Sequence, residues 1–429
     1  MKQCGVIFVK RCLVMITSSF PFGSGESFIE SEISFHENKF DRIIILPIEL
    51  DPNAELTRAV PENAEYYNVS ARKQKIARTG DILKGVHNLV VPTEYLNYDR
   101  QVIGTSLRRR MFFEYFCNRS QRSFEECKSV LEKCGLDEYD SITVYSYWFF
   151  VTALVGVKLK EYLSSFCSDV ELVARAHRYD VYENANVLGY LPLRRYLLEK
   201  YDAVYPCSDS GTKFITEKYP EYSAKVKTAY LGTFDHGLSK QSENGLHIVS
   251  CSQVKDVKRV DEIVDIIELF AKSGNRNIKW THIGTGNREA ELKKAVKLKL
   301  GGVETELLGK LPNTEVCEYY RKNPVDLFIS ASKSEGLPVS MMEAASFGVP
   351  ILSTNVGGVS ELVRDGFNGW LLDEDAEIGE FVRILDRFYD MDKSEREVYR
   401  NNIRQTWENG FDASKSFRDF LSVPATVGS

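Results

Sequence analysis

No stretch of the sequence is apolar over the ~20 residues that a membrane-spanning helix needs. The nine cysteines are scattered, odd in number and never spaced Cys-x-x-Cys. That argues against a zinc ribbon or a disulfide scaffold and fits the reduced thiols of a cytosolic protein. Positive charge is not in excess: 55 Lys and Arg face 61 Asp and Glu, for a net charge of −6. A nucleic-acid binder working by bulk charge is therefore not expected. Internal repeats and low-complexity segments are absent. The six-residue Gly-x-Gly-x-x-Gly is incomplete wherever glycines cluster, against a dinucleotide oxidoreductase. The N-terminal apolar run is cut by Lys10 and Arg11 and followed by no small-residue cleavage site. It reads as a buried strand, not a signal peptide.

What is present is an ordinary globular composition, 43% hydrophobic and 27% charged, over 429 residues. That length exceeds one usual core, so two domains are expected. "CLVMITSSFPFGSGESFIESEI" reads as strand, glycine loop and helix; "FDRIIILPIEL", "SITVYSYW" and "VELVARAH" read as further buried strands. Near residues 229–245 the apolar signal fades and Gly, Ser and Asn collect, which marks a boundary. A second alternation then runs from "LHIVSCS" to "VPILST". Strands alternating with helices predict parallel sheets, hence a doubly wound α/β fold in each half. The expected division is 1–235, 240–405 and a tail, 406–429, that packs back on the first domain. Open α/β sheets bind ligands beyond their strand C-termini, so two such domains predict a cleft.

The most informative stretch is "SKSEGLPVSMMEAASFGVPILSTNVGG", from Ser332 to Gly358. It places Glu335 in the loop after a strand and Glu343 on the helix that follows. Pro338 suits the first turn of that helix, because its missing N–H would be orphaned anyway. The backbone N–H groups around Gly336, Leu337 and Val339 then form an anion site. A phosphate there leaves the glutamates to accept hydrogen bonds from hydroxyls, as sugars and riboses offer. For a lone glutamate, a helix cap or a solvated helix face would be the better reading.

The pattern "SxSEGLPxxxxEAxxxGVPIxxTxxGGxxELVxxGxNG" resembles the retaining glycosyltransferases of family 4, within the group 1 glycosyl transferases. The resemblance is dense over 325–372. It implies the GT-B fold, two Rossmann-like domains facing each other across a cleft. It also implies roles. Glu335 holds hydroxyls of the donor sugar, Glu343 the ribose hydroxyls, and Gly336, Leu337, Pro338 and Val339 the sugar and diphosphate. Lys258 aligns with the lysine that binds the diphosphate. Five residues before it, where the family usually has arginine, stands Gln253, and Arg259 is the candidate to supply the missing charge. Gly284 and Gly286 in "HIGTGN" match the glycine loop beside the nucleotide, and Lys310 and Leu311 stand where the base packs. In the first half, Gly23 and Gly25 match the first glycine loop. "VARAHRYDVYE" resembles the segment with the active-site histidine, here His177, with Arg175 and Asp180 placed for the acceptor. His177 read without the family is equally a strand-end histidine with a satisfied hydrogen bond.

The expected activity is transfer of a hexose from a nucleotide diphosphate sugar, a UDP-sugar by preference, to a saccharide or lipid-linked acceptor with retention. No nucleophile stands out, so a front-face mechanism fits, with the departing phosphate oxygen helping to take the acceptor proton. No cofactor and no metal are expected. A GT-B epimerase or phosphorylase and a non-catalytic nucleotide-sugar-binding subunit remain open. "LRRRMFFEYFCNR" (107–119) reads as an amphipathic helix with its aromatics in the core; the alternative is peripheral contact with an anionic membrane.

Overall fold

The computed structural model describes residues 9–23, 26–50, 53–69, 74–88, 93–274 and 276–420. They form two compact units, the first ending at Ala229 and regaining the chain at Arg418, the second running Tyr230–Phe417.

In the first unit the strands are β1 (Arg11–Thr17), β2 (Arg42–Pro47), β3 (Ala64–Tyr66), β4 (Ser141–Ser146), β5 (Asp169–Ala176) and β6 (Ala203–Pro206). The helices are α1 (Ser27–Ile33), α2 (Gln74–His87), α3 (Leu96–Ile103), α4 (Leu107–Leu131), α5 (Val151–Leu163), α6 (Arg178–Val181), α7 (Arg194–Lys200) and α8 (Asp209–Lys218). All strands are parallel, in the order β3-β2-β1-β4-β5-β6. The continuous apolar runs follow from a sheet covered on both faces. Along β1, Cys12, Val14 and Ile16 enter one core layer while Leu13 and Met15 enter the other. β2 divides the same way, with Ile44 and Leu46 on one side and Ile43 and Ile45 on the other.

The second unit repeats the design. Its strands are β7 (Leu246–Cys251), β8 (Ile278–Ile283), β9 (Glu304–Gly309), β10 (Leu327–Ser330), β11 (Ile351–Thr354) and β12 (Gly369–Leu372). Its helices are α9 (Val260–Lys272), α10 (Glu289–Lys299), α11 (Asn313–Lys322), α12 (Val339–Ser346), α13 (Val359–Leu362), α14 (Ile378–Asp390) and α15 (Lys393–Gly410); α16 (Ala413–Phe420) ends the described chain. The order β12-β11-β10-β7-β8-β9 is the first sheet's order again, read from the other edge. Each sheet therefore has one point where the winding reverses, between β1 and β4 in one and between β7 and β10 in the other. Loops leaving adjacent strands diverge there and leave a crevice at the strand C-termini.

The division differs from the expected 235 and 406. Residues after Tyr230 are poor in apolar signal, yet they are fastened to α15. Tyr230 packs on Phe411 with ring centroids 5.0 Å apart, the Trp407 indole donates to Thr233 Oγ1 at 2.7 Å, and Asp235 pairs with Arg404 at 2.6 Å. The second unit likewise keeps α15, which packs on α12. Only from Arg418 does the chain join the first unit, where Phe420 lies over the Arg175 guanidinium at 4.2 Å.

Candidate functional site

In the second unit the reversal point is built by the loop after β7 (252–259) and the loop after β10 (331–338). They bring Lys258 and Glu335 together across 77 positions of sequence: Lys258 Nζ lies 2.5 Å from both oxygens of the Glu335 carboxylate. Glu335 is buried and Lys258 half-buried. Gly336 and Leu337, just ahead of α12, donate their backbone N–H groups to nothing among the described residues, with Pro338 as the helix cap. A cation, two open amides and a helix N-terminus thus converge, the elements of an anion site. The loop is held from behind by Gly357 (φ 59°), where a Cβ would come within 2.0 Å of the Glu335 carbonyl oxygen. The Gly358 N–H donates to the Gly336 carbonyl at 2.7 Å. The glycine pair stands in the sequence motif without an assigned role; its contribution is close approach, which composition does not reveal.

Glu343 lies on the buried face of α12. Burial pushes its carboxyl up to about 7, against the lowering effect of a hydrogen bond from the Asn313 side-chain amide at the start of α11. Its other neighbours are uncharged: the thiols of Cys251 and Cys317, and Tyr320. Asn313 escaped the sequence reading because nothing local marks it. The wall on the β8 side is the glycine loop. A Cβ on Gly284 would meet the Ser252 carbonyl oxygen at 1.9 Å, and one on Gly286 the Val254 carbonyl oxygen at 2.1 Å, so both positions require glycine. Lys310 is exposed and Leu311 half-buried just beyond β9.

Arg259, expected to share an anion with Lys258, is turned inward. It is buried, adopts φ 46°, and donates from Nε to the Ala331 carbonyl and from a terminal nitrogen to the Glu374 carbonyl at 2.7 Å. It ties β10's exit to the loop after β12. Gln253 is exposed. Arg259→Ala is therefore expected to lower the thermal midpoint through the loss of about 1.5–3 kcal/mol of charged hydrogen bonding. Lys258→Ala should remove nucleotide binding, which Arg259→Ala should keep. Thermal unfolding and calorimetry on both variants read this contrast, and an unchanged midpoint in Arg259→Ala would contradict it.

In the first unit the reversal point is lined by the loop after β1, which includes Gly23, and the loop after β4. Gly25 lies outside the described residues. Glu26 organises this edge, a role no sequence signal disclosed: its carboxylate accepts from the N–H groups of Ser18 (2.9 Å), Ser19 (2.7 Å) and Phe20 (2.7 Å) and from the Trp148 indole (2.5 Å). Beside it is a cavity of about 240 Å³ lined by Ser18, Glu49, Trp148, Phe150, Thr152 and Tyr179.

His177 caps α6 in the same unit, its ring packed against Trp148, Phe28 and Tyr147 at centroid distances of 4.6, 5.2 and 5.4 Å. It is buried, and Nε2 has no hydrogen-bond partner among the described residues. Burial, and secondly the charge of Arg175, lower its pKa to about 3, so the imidazole is neutral. The expected acceptor contacts Arg175 and Asp180 do not reach a surface. Arg175 is wholly buried, paired with Glu32 at 2.8 Å and donating to the Ala229 carbonyl at 2.6 Å. Burial works to raise the Glu32 carboxyl, but Arg175 and His36 outweigh it and hold it at about 2. Asp180, also wholly buried and raised by that burial to about 6, accepts from the N–H groups of Phe149 and His177. Both residues brace the His177 turn from inside, because a strand-end charge with an internal partner is cheaper to bury than one without.

Residues 235–406 match the family described as "Glycosyl transferases group 1". The chain is 30% identical over 160 residues to the amylovoran biosynthesis glycosyltransferase AmsK of Erwinia amylovora, covering 35% of this chain and 39% of that protein. It is 28% identical over 223 residues to the N-acetyl-alpha-D-glucosaminyl L-malate synthase of Bacillus anthracis, covering 51% and 53%. The matched part thus spans about two fifths to one half of these relatives. The crystal structure of Anabaena Alr3699/HepE in complex with UDP and glucose superposes with a TM-score of 0.62 at 14% identity, covering 96% of this chain and 98% of that one. Two six-stranded parallel sheets of this order are the GT-B fold.

Proposed function

We propose that the protein is a retaining glycosyltransferase that moves a hexose from a UDP-sugar to an acceptor hydroxyl in polysaccharide or glycoconjugate assembly. The observation that carries this reading is the Lys258–Glu335 pair beside the open amides of Gly336 and Leu337, with the cation-free carboxylate of Glu343 on the same short helix. On donor binding the diphosphate takes Lys258, and Glu335 is released to accept from hydroxyls of the transferring sugar. Glu343 accepts from the ribose. Gly284 and Gly286 let the nucleotide approach the backbone, and Lys310 and Leu311 border the base.

The chemistry asked of these groups is electrostatic. Lys258 and the α12 N-terminus stabilise charge growing on the leaving phosphate, and a departing phosphate oxygen takes the acceptor proton on the same face of the sugar. The acceptor is a saccharide held in the first unit's cavity, whose Trp148, Phe150 and Tyr179 rings offer apolar faces while Glu49 and Ser18 offer hydrogen bonds. His177, neutral, keeps its Nε2 without a hydrogen-bond partner among the described residues of the first unit. The relatives' names, amylovoran biosynthesis and glucosaminyl malate synthesis, support transfer as the reaction class.

The test is incubation with UDP-, GDP- and ADP-sugars and assay of nucleotide release with and without oligosaccharide acceptors. UDP release that rises with acceptor, with a retained anomeric configuration by NMR, is expected. An epimerised donor, dependence on free phosphate, or binding with no release would each replace the proposal with another reading.

Excess EDTA is expected to leave most of the activity in place. Hard carboxylate pairs are the usual Mg²⁺ or Mn²⁺ ligands at a diphosphate. The sequence has two Asp-x-Asp triplets, at 373–375 and 390–392; their aspartates are exposed, and Asp392 of the second caps α15 by accepting from the Ser394 and Glu395 N–H groups at 2.8 and 2.9 Å. Loss of activity in EDTA, restored by Mn²⁺ and abolished by Asp373→Ala with Asp375→Ala, would overturn the assignment of diphosphate charge to Lys258.

A further inference from the structure

The first unit carries an apolar and basic face outside the sites described above. Of the 19 large hydrophobic side chains exposed among the described residues, six fall between residues 82 and 111: Ile82, Leu83, Tyr98, Val102, Leu107 and Met111. Four of them come in helical registers. Tyr98 and Val102 are four apart on α3, and Leu107 and Met111 four apart on α4, so each pair shares a stripe. The elements are contiguous. α2 packs along α4, and Arg109 of α4 donates to the Val102 carbonyl of α3 at 3.1 Å.

The charges on this face are one-sided. Arg78, Lys84, Arg100 and Arg108 are exposed, whereas Asp81 and Asp99 are buried and otherwise engaged, Asp81 with Arg122 and Asp99 with Tyr190 and the Leu193 N–H. Glu94 is the one exposed carboxylate among the described residues 74–111. This is a cationic face on a chain of net charge −6. The "LRRR" triplet itself contributes little: Arg109 is spent on the Val102 and Leu188 carbonyls and Arg110 on Glu114 at 2.7 Å, while Phe113 and Phe116 fill the core. Arg108 alone of the three is exposed.

We infer that the α2–α3–α4 face docks the protein on an anionic lipid bilayer, with its exposed apolar side chains in the headgroup boundary and Arg78, Lys84, Arg100 and Arg108 on lipid phosphates. Exposed apolar residues and exposed cations on the same three helices fit an interface with an apolar interior and an anionic rim. A second copy fits poorly, because a two-fold contact sets the same cations against one another. Nucleic acid would match the charge and leave the apolar stripes unused.

Docking needs no nucleotide sugar, so it is tested apart from the transfer reaction. The full chain is sedimented with vesicles of phosphatidylcholine alone and of phosphatidylcholine with phosphatidylglycerol, at low and high salt. Binding to the anionic vesicles that fades with salt is expected. Each cation near such a surface multiplies partitioning about fivefold, so Arg100→Gln with Arg108→Gln should lower it about thirtyfold. Leu107→Ser with Met111→Ser should lower it about tenfold or more. Leu298→Ser, at a position 78% exposed on α10 of the second unit, should change nothing. All substituted positions are exposed, and unchanged thermal midpoints confirm folding. Equal binding to both vesicle types, no binding, or unaltered binding by the two double variants would overturn the inference. Light scattering that showed a dimer dispersed by Leu107→Ser with Met111→Ser would assign the face to a second copy instead.

Discussion

Glu335→Ala should lower turnover by a factor on the order of 10²–10³, the usual cost of losing one preorganised electrostatic contact to a reacting centre. Affinity for UDP should hold or rise. Both expectations follow from one geometry. Without donor, the Lys258 ammonium is bonded to both Glu335 oxygens. A diphosphate must break that pair before it gains the lysine, and charge-assisted bonds of this kind are the strong ones. Removing the carboxylate removes the competitor, so the nucleotide meets an unpaired cation. The sugar, however, loses the acceptor that orients its hydroxyls. Glu335→Gln is the sharper form, since it keeps the volume and discards the charge. Steady-state kinetics with calorimetric UDP titration separates the two effects. Wild-type turnover in either variant would remove Glu335 from the reaction, and a large loss of UDP affinity would make it a nucleotide contact.

The strands were legible because a parallel sheet buried on both faces demands unbroken apolar runs, and "CLVMIT", "RIIILP" and "LHIVSC" admit no other placement. β3 was not. Three residues at a sheet edge, Ala64–Tyr66, two of them exposed, carry no apolar run. The anion site was legible for a local reason: loop, proline and helix start are consecutive in sequence, so their chemistry can be read in order. Side-chain direction was where reading failed. Arg259 is adjacent to Lys258 yet points the opposite way, because the left-handed backbone at Arg259 turns the chain into α9. Arg175 and Asp180 flank His177 in the same manner. Alternation along β5 directs one neighbour inward, and the partner that accepts it, Glu32, lies 143 positions earlier. Pairings at such separations leave no trace in a local pattern. Glu26 shows the converse: an ordinary glutamate after a glycine loop, it gathers three backbone N–H groups and an indole.

Glu343→Gln should make the free protein more stable at pH 8 and a poorer binder of UDP. The carboxyl sits at about 7 in the fold against an ordinary 4.5, because burial disfavours its charge and the Asn313 amide offsets only part of that cost. A carboxyl raised by folding binds its proton more tightly in the native state. Stability from this group is therefore present below the unfolded value and is lost as pH climbs from about 4.5 through about 7. Above that window the ionised carboxylate costs on the order of 3 kcal/mol. Glutamine never ionises and still accepts from Asn313, so the variant should recover most of that amount at pH 8, show no gain at pH 4, and flatten the fall between. Chemical denaturation across the range reads the difference directly. Ligand binding should move the other way. Two ribose hydroxyls donate best to a charged acceptor, so wild-type affinity for UDP should rise with pH through 7, while the variant binds about 10- to 100-fold more weakly at pH 8, from a loss of about 1.5–3 kcal/mol. A buried charge that lowers stability is kept where a ligand uses it, and this pair of opposite signs is the signature expected. If Glu343→Gln changed stability as described and left UDP affinity untouched at every pH, Glu343 would be a strained core residue and the ribose would bind elsewhere.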